Sequence, residues 1–402
     1  MKAALRGGHH LRLLEGGAQL FPAMARAIER AQHLVHVETY ILAFAGGTLQ
    51  LAEAMERAAG RGVAVRLVVD GVGTPALPRG WLRRLERAGV QCRVYAPLGH
   101  VGLLIPSRWR RLHRKLCVVD GVIGFCGGIN LIDDLDDTAL GRLAEPRLDF
   151  ALQVSGPLVA DMLEAMEQLW WRMLALTQAR QHEFRAAWRA LRAGLPALAA
   201  HHFGSEPAGR QPQPAALLLR DNLRHRHDIE RAYLRAIALA RREIVIANAY
   251  FIPGRRLRRA LTLAAARGVR VRLLLQGRYE HFLQYHAARP VYYWLLRTGI
   301  EVHEYAPSAL HAKVAVIDQA WATVGSTNLD PLSLLLAREA NVVTTDRAFA
   351  RNLHERLDHL LRTAGERVDF ERLRLRPWHQ RLFDRLAFGI MRATLFLLGH
   401  RY

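Results

Sequence analysis

His113-Arg114-Lys115-Leu116-Cys117-Val118-Val119-Asp120, followed by Gly127-Gly128-Ile129-Asn130, is the stretch whose reading decides the fold. It returns in the second half as His311-Ala312-Lys313-Val314-Ala315-Val316-Ile317-Asp318, followed by Gly325-Ser326-Thr327-Asn328. In both copies Lys stands two residues after His, Asp seven, Gly fourteen and Asn seventeen. A strand sends alternate side chains to opposite faces, so His and Lys share a face and the residue between them does not. The apolar residues that follow fill a sheet, and Asp120 or Asp318 falls at the turn before the next strand. Gly127 and Gly325 leave room for close backbone approach, while Asn130 and Asn328 offer amide hydrogens to the same space. Each copy supplies a nucleophile or acid, a fixed positive charge and a neutral donor. Two copies facing each other suit a tetrahedral phosphodiester attacked from one side and protonated on the other.

The repeat is wider than the motif. Residues 27–41 (AIERAQHLVHVETYI) and 51–71 (LAEAMERAAGRGVAVRLVVDG) match residues 236–252 (AIALARREIVIANAYFI) and 257–277 (LRRALTLAAARGVRVRLLLQG). Each half then reaches the same triplet, Tyr95-Ala96-Pro97 or Tyr305-Ala306-Pro307. Short apolar strands between amphipathic helices of period 3.6 predict an α/β fold, a central sheet covered by helices, made twice. Asp161 to Leu176 reads as a helix closing the first half. The polar, Gly- and Pro-rich tract HHFGSEPAGRQPQP marks a linker. The expected organisation is a first domain over 1–177, a linker over 178–214, a second domain over 215–375 and a basic amphipathic segment over 376–402.

Composition limits what such a chain can do. At 402 residues it exceeds one ordinary core, and with 51% apolar and 23% charged residues it is globular rather than disordered. Lys and Arg number 57 against 36 Asp and Glu, a net charge of +21 with a pI near 11.0. That field attracts polyanions, either nucleic acid or anionic lipid, although much of it also fits solvated helix faces. Cys92, Cys117 and Cys126 are odd in number and lack metal-like spacing, which argues against a disulfide framework and for a reducing compartment. Residues 1–17 lack an apolar signal core, and no run reaches the length of a membrane span. A soluble or peripheral protein is expected.

The doubled HxKxxxxD followed by G[GS]xxN resembles the phospholipase D superfamily. The wider sequence, from about Leu11 to Leu375, is similar to its bacterial cardiolipin synthase branch, in the shorter class without N-terminal spans. The resemblance implies two pseudo-symmetric domains with the active site at their interface. It implies that one motif histidine attacks phosphorus to form a phosphohistidine while the other protonates the leaving alcohol. By analogy, His113 is assigned as nucleophile and His311 as general acid and base. Lys115, Lys313, Asn130 and Asn328 would hold the non-bridging oxygens, so that neither a metal nor another cofactor is required. Asp120 and Asp318 are counted with the catalytic set as motif members, although their parity relative to His suggests a structural place at a turn. A carboxylate must orient each imidazole: Glu339, in REANVV, matches the family position, and Asp149, in RLDFALQVSGP, is the analogous residue of the first half. Gly128 and Ser326 complete the substrate-binding and orienting set.

Other residues carry weaker readings. Glu38 and Tyr40, with Asn248 and Tyr250, end equivalent strands and either line the pocket or pack there. His225 and His227, among arginines, suit phosphate or solvent better than metal. His201-His202 reads as solvated linker, and Arg220 and Arg224 as headgroup ligands. Two regions suit an anionic bilayer: the insert Leu98 to Leu112 (LGHVGLLIPSRWRRL), and Trp378 to Leu398, which is either an interfacial helix or one packed on its domain. The expected activity is phosphatidyl transfer between phospholipids, with phosphatidylglycerol as donor and acceptor and cardiolipin and glycerol as products. The alternatives are hydrolysis by a phospholipase D or by a phosphodiesterase nuclease. The expected partners are anionic phospholipids and a membrane surface rather than nucleic acid, and the expected place is the cytoplasmic side of the bacterial inner membrane.

Overall fold

The computed structural model describes residues 5–99, 109–137, 141–180, 183, 185–186, 188–189, 213–221, 225–278, 282–330 and 336–397. The tip of the expected insert (100–108), most of the expected linker with His201-His202, and Arg224 lie outside the described residues. The chain divides into two compact units: residues 3–133 with 151–217, and residues 134–150 with 218–402. The segment 134–150 comes from the first half of the sequence but groups with the second unit.

In the first unit, strands β1 (Arg6–Glu15), β2 (Leu34–Thr39), β3 (Ala64–Asp70), β4 (Gln91–Tyr95), β5 (Lys115–Val119), β6 (Ile123–Gly127), β7 (Phe150–Ser155) and β8 (Gln213–Arg220) form one sheet. Its order is β8-β1-β7-β6-β5-β2-β3-β4. The β2-β3-β4 ladder, which α1 (Gly16–Glu29) precedes, is parallel because helices α2 (Gly47–Gly60) and α3 (Arg79–Ala88) connect its strands. The β5-β6 hairpin and β7 then run antiparallel.

Strand alternation builds two layers of core. Val35, Val37, Val65, Leu67, Cys117 and Val119 face the helices α1 and α2. Val68 points the other way, onto Leu169 and Trp170 of α4 (Leu158–Arg180). All three cysteines are free thiols, and burial pushes Cys117 and Cys126 up to about 12, which leaves them inert at neutral pH.

The second unit repeats the plan. After α5 (Asp228–Leu239) come β9 (Glu243–Asn248), α6 (Arg255–Ala266), β10 (Arg270–Gln276), α7 (Phe282–Arg297) and β11 (Glu301–Tyr305). Then follow β12 (Lys313–Ile317), β13 (Trp321–Gly325), β14 (Ala337–Thr344), α8 (Arg347–Thr363) and β15 (Gly365–Arg367). The order β11-β10-β9-β12-β13-β14 is that of β4-β3-β2-β5-β6-β7. The register is kept as well: Val35 faces Val119 as Ile244 faces Ile317. The expected α/β class, a helix-covered sheet built twice, is what the chain forms. Two further helices, α9 (Phe370–Arg374) and α10 (Trp378–Leu397), end the chain, and α10 packs on α7. Among the described residues no helix is long and apolar enough to cross a membrane.

Candidate active site

Both histidines stand two residues before a central strand, and both lysines open it. In the first unit Lys115 is almost fully buried, so its charge must be met internally. Its Nζ donates to the His113 carbonyl at 2.7 Å and lies 5.5 Å from the centre of the Tyr40 ring. The same ring meets the His113 imidazole edge-on at 5.1 Å. Burial, with the charge of Asp70, pushes the Tyr40 hydroxyl up, so it stays a neutral group beside His113. Asn130, also buried, comes from the loop after β6, and its Oδ1 faces the Ile41 amide at 3.4 Å. Arg114 points to the opposite face, as strand alternation requires, and pairs there with Glu38 and the Ala165 carbonyl.

The second unit holds a corresponding set. His311 Nδ1 lies 2.6 Å from Asp149 Oδ2, and the same oxygen is 3.9 Å from Lys313 Nζ. Lys313 is fully buried and donates to the His311 carbonyl. The segment carrying Asp149 is fastened beside the histidine by backbone bonds. Leu148 donates to Ala309 at 3.0 Å, and His311 donates to the Leu148 carbonyl at 2.8 Å. Ser308 Oγ adds a bond of 2.6 Å to the Glu145 carbonyl. With Asp149 on Nδ1, that carboxylate sets the orientation of the ring. Asn328 is buried, and its Oδ1 has no hydrogen-bond partner among the described residues.

A family model described as "Cardiolipin synthase, PLD-like domain" matches residues 24–170 and 233–361, which contain both His-Lys sets. The chain belongs to this phospholipase D-like cardiolipin synthase family. It is 39% identical to "Cardiolipin synthase B" of Escherichia coli (strain K12), over 99% of this chain and 92% of that protein. It is 32% identical to "Cardiolipin synthase A" of Pseudomonas putida (strain GB-1), over 91% of this chain and 69% of that one. The crystal structure of phosphatidylserine synthase from Haemophilus influenzae Rd KW20 superposes with a TM-score of 0.68, covering 99% of this chain and 95% of that one. At 13% identity that likeness concerns the fold alone.

Several motif residues sit away from the His-Lys ends of these strands. Asp120 and Asp318, counted above with the catalytic set, lie at the far ends of β5 and β12 from the lysines. Asp120 accepts from the amides of Gln32, His33 and Leu34, each at 2.8 Å. Asp318 does the same for Arg241, Arg242 and Glu243 at 2.7 to 2.8 Å. Both adopt a left-handed φ of 51°, which short acidic side chains tolerate. They tie each helix-to-strand turn to the strand that the lysine opens. Glu339 is fully buried and accepts from Ser326 Oγ, which in turn accepts from the Ala340 amide, so this serine positions the carboxylate. Gly128, at the same place in the first copy, is buried and has no side chain to do this. A Cβ on Gly325 would fall 2.3 Å from the Asn341 side chain, which is why that position takes no larger residue.

Glu38 and Asn248 brace the sites from behind rather than line them. Asn248 accepts from the Leu329 amide at 3.1 Å and so holds the loop that carries Asn328. Arg220, expected at a headgroup, is instead buried with Nη1 on the Ala337 carbonyl. Burial brings its guanidinium down to about 10, against the opposing pull of Glu339. His225 and His227 pair with Asp228 and Glu230 at the start of α5. Two positioning residues have no place in the motif. Asp70 accepts from the Leu112 amide at 2.7 Å and from Arg111, just before His113. Gln276 accepts from the Leu310 amide at 3.3 Å, just before His311. Their signal in the sequence is the shared strand end, VVDG against LLQG.

Proposed function

We propose that this protein is a phosphatidyltransferase that makes cardiolipin from two phosphatidylglycerols. His113 attacks the phosphorus of the donor to form a phosphohistidine, and the glycerol oxygen leaves as it takes a proton from His311. His311 then removes the proton from the free hydroxyl of the acceptor's glycerol, whose oxygen displaces His113 and restores it. One phosphodiester bond breaks and one forms, so no oxidant, metal or nucleotide is consumed. The observation that carries this reading is the carboxylate of Asp149 on His311 Nδ1, beside buried Lys313. A negative charge there stabilises the imidazolium that the acid must be before transfer and becomes again after deprotonating the acceptor. Lys115 and Lys313, with Asn130 and Asn328, supply the charge and donors that a phosphorane needs on its non-bridging oxygens.

The family membership supports phospholipid as the substrate class. The net charge of +21 supports attachment to an anionic bilayer, which we place at the cytoplasmic face of the inner membrane. The test is incubation of purified protein with labelled phosphatidylglycerol in detergent. Cardiolipin with equimolar glycerol is expected, and His113→Ala and His311→Ala should each abolish it. Phosphatidic acid as sole product would make the enzyme a hydrolase, and turnover of DNA with none of lipid would refute the lipid reading.

A further inference from the structure

Helix α10 has two sides of opposite character. Its inner side is fixed to the second unit: Asp384 is buried, with Oδ1 2.6 Å from His286 Nδ1 on α7 and Oδ2 3.7 Å from Arg376. Ala387 is buried next to it. On the outer side Trp378, Leu382, Leu386 and Ile390 repeat every fourth residue and so form one ridge. Trp378 is 71% exposed and the other three about half exposed, with Phe383 half exposed beside them. Large apolar side chains gathered on one exposed ridge mark an interaction surface rather than ordinary scatter.

The charges say what covers it. Asp384 is the only carboxylate between Trp378 and Leu397, and it is turned inward onto His286. The outer face carries exposed Arg381 and Arg385 at the margin of the ridge, and no acid. A second copy of a chain of charge +21 would be repelled at such a face, whereas an anionic surface would be drawn to it. Trp beside Leu and Ile, flanked by arginine, is the composition that settles at the boundary between headgroups and acyl chains.

We infer that α10 is a membrane-docking helix, inserting the ridge Trp378–Leu382–Leu386–Ile390 into an anionic phospholipid surface while the Asp384–His286 pair pins its other side to α7. The inference deepens the proposed function, since it puts the lipid surface against the unit that carries His311. Tyr285, Arg289 and Tyr292 of α7 line a cavity with Gln276, the side chain that holds the residue before His311.

The test is sedimentation of the full-length protein with vesicles of phosphatidylglycerol and phosphatidylcholine, compared with phosphatidylcholine alone. The wild type should partition onto the anionic vesicles and weaken with salt. Leu382→Ser combined with Leu386→Ser should reduce partition tenfold or more, while turnover of detergent-dispersed phosphatidylglycerol and the melting temperature stay unchanged. Unchanged partition of this variant would overturn the inference. Equal binding to phosphatidylcholine alone would overturn the choice of an anionic surface. A wild-type dimer that the serine variant converts to monomer would show that the ridge covers a second copy instead. Ridge-dependent partition by a protein that makes no cardiolipin would sink the proposed function and leave the docking inference standing.

Discussion

Replacing Asp149 with Asn keeps the size and most of the hydrogen-bonding capacity of the side chain but removes its charge. In the native site that charge lies 2.6 Å from His311 Nδ1 and 3.9 Å from Lys313 Nζ, on a residue that is 2% exposed. A hydrogen bond to a charged group contributes about 1.5–3 kcal/mol, and one to a neutral group less. If the imidazolium forms on the reaction path, most of that difference appears in the barrier. That difference is about 1–1.5 kcal/mol, so the expected loss in kcat is roughly 5- to 12-fold, at about 1.4 kcal/mol per factor of ten. KM should change little, because the carboxylate touches the histidine and not the lipid. The assay is cardiolipin formation from mixed micelles across a range of phosphatidylglycerol, with the melting temperature followed in parallel. The Phe150 amide sits 2.7 Å from Asp149 Oδ1, and Asn can still accept that bond, so the fold should hold. A kcat within threefold of wild type in a folded variant would refute the reasoning. So would a loss carried entirely by KM.

The repeated aspartates of the motif should behave differently from Asp149. Asp318→Ala leaves the amides of Arg241, Arg242 and Glu243 without their acceptor, at about 1 kcal/mol each, so stability should fall by about 2–3 kcal/mol in denaturant titration. The folded fraction should keep its specific activity within about threefold, and a large activity loss at unchanged stability would make this aspartate catalytic after all. His36 offers a test by pH. Burial foremost, then Arg66 and Arg114, hold its ring well below the ordinary value of 6.5, and neither ring nitrogen has a hydrogen-bond partner among the described residues. The native ring stays neutral where the unfolded one takes a proton, so its contribution is lost as pH falls below 6.5, by up to about 1.4 kcal/mol per pH unit. His36→Leu should therefore flatten the acid side of the stability curve, and an unchanged acid slope would show that other groups set it.

The doubled motif determined a great deal by itself. His and Lys two apart on a strand must share a face, and Arg114 between them must not, because alternation is a property of the extended backbone alone. The repeated helices and strands also predicted a helix-covered sheet made twice, but not the order of the strands within it. Alternation also placed Asp120 and Asp318 at odd parity, on a turn, where the structure finds them tying backbone amides rather than reaching the site.

What sequence order could not decide is how distant segments close on one another. Asp149 lies in the first half of the sequence, yet segment 134–150 packs in the unit of the second half and sets its carboxylate on His311. Nothing in the repeat encodes that, because the contact depends on where the chain returns after leaving β6, a matter of long-range packing. The same holds for α10. Its sequence is apolar and basic in a way that suits either a buried helix or an interfacial one. Only the docking of Asp384 on His286 decides which side is turned inward and which apolar ridge is left facing out.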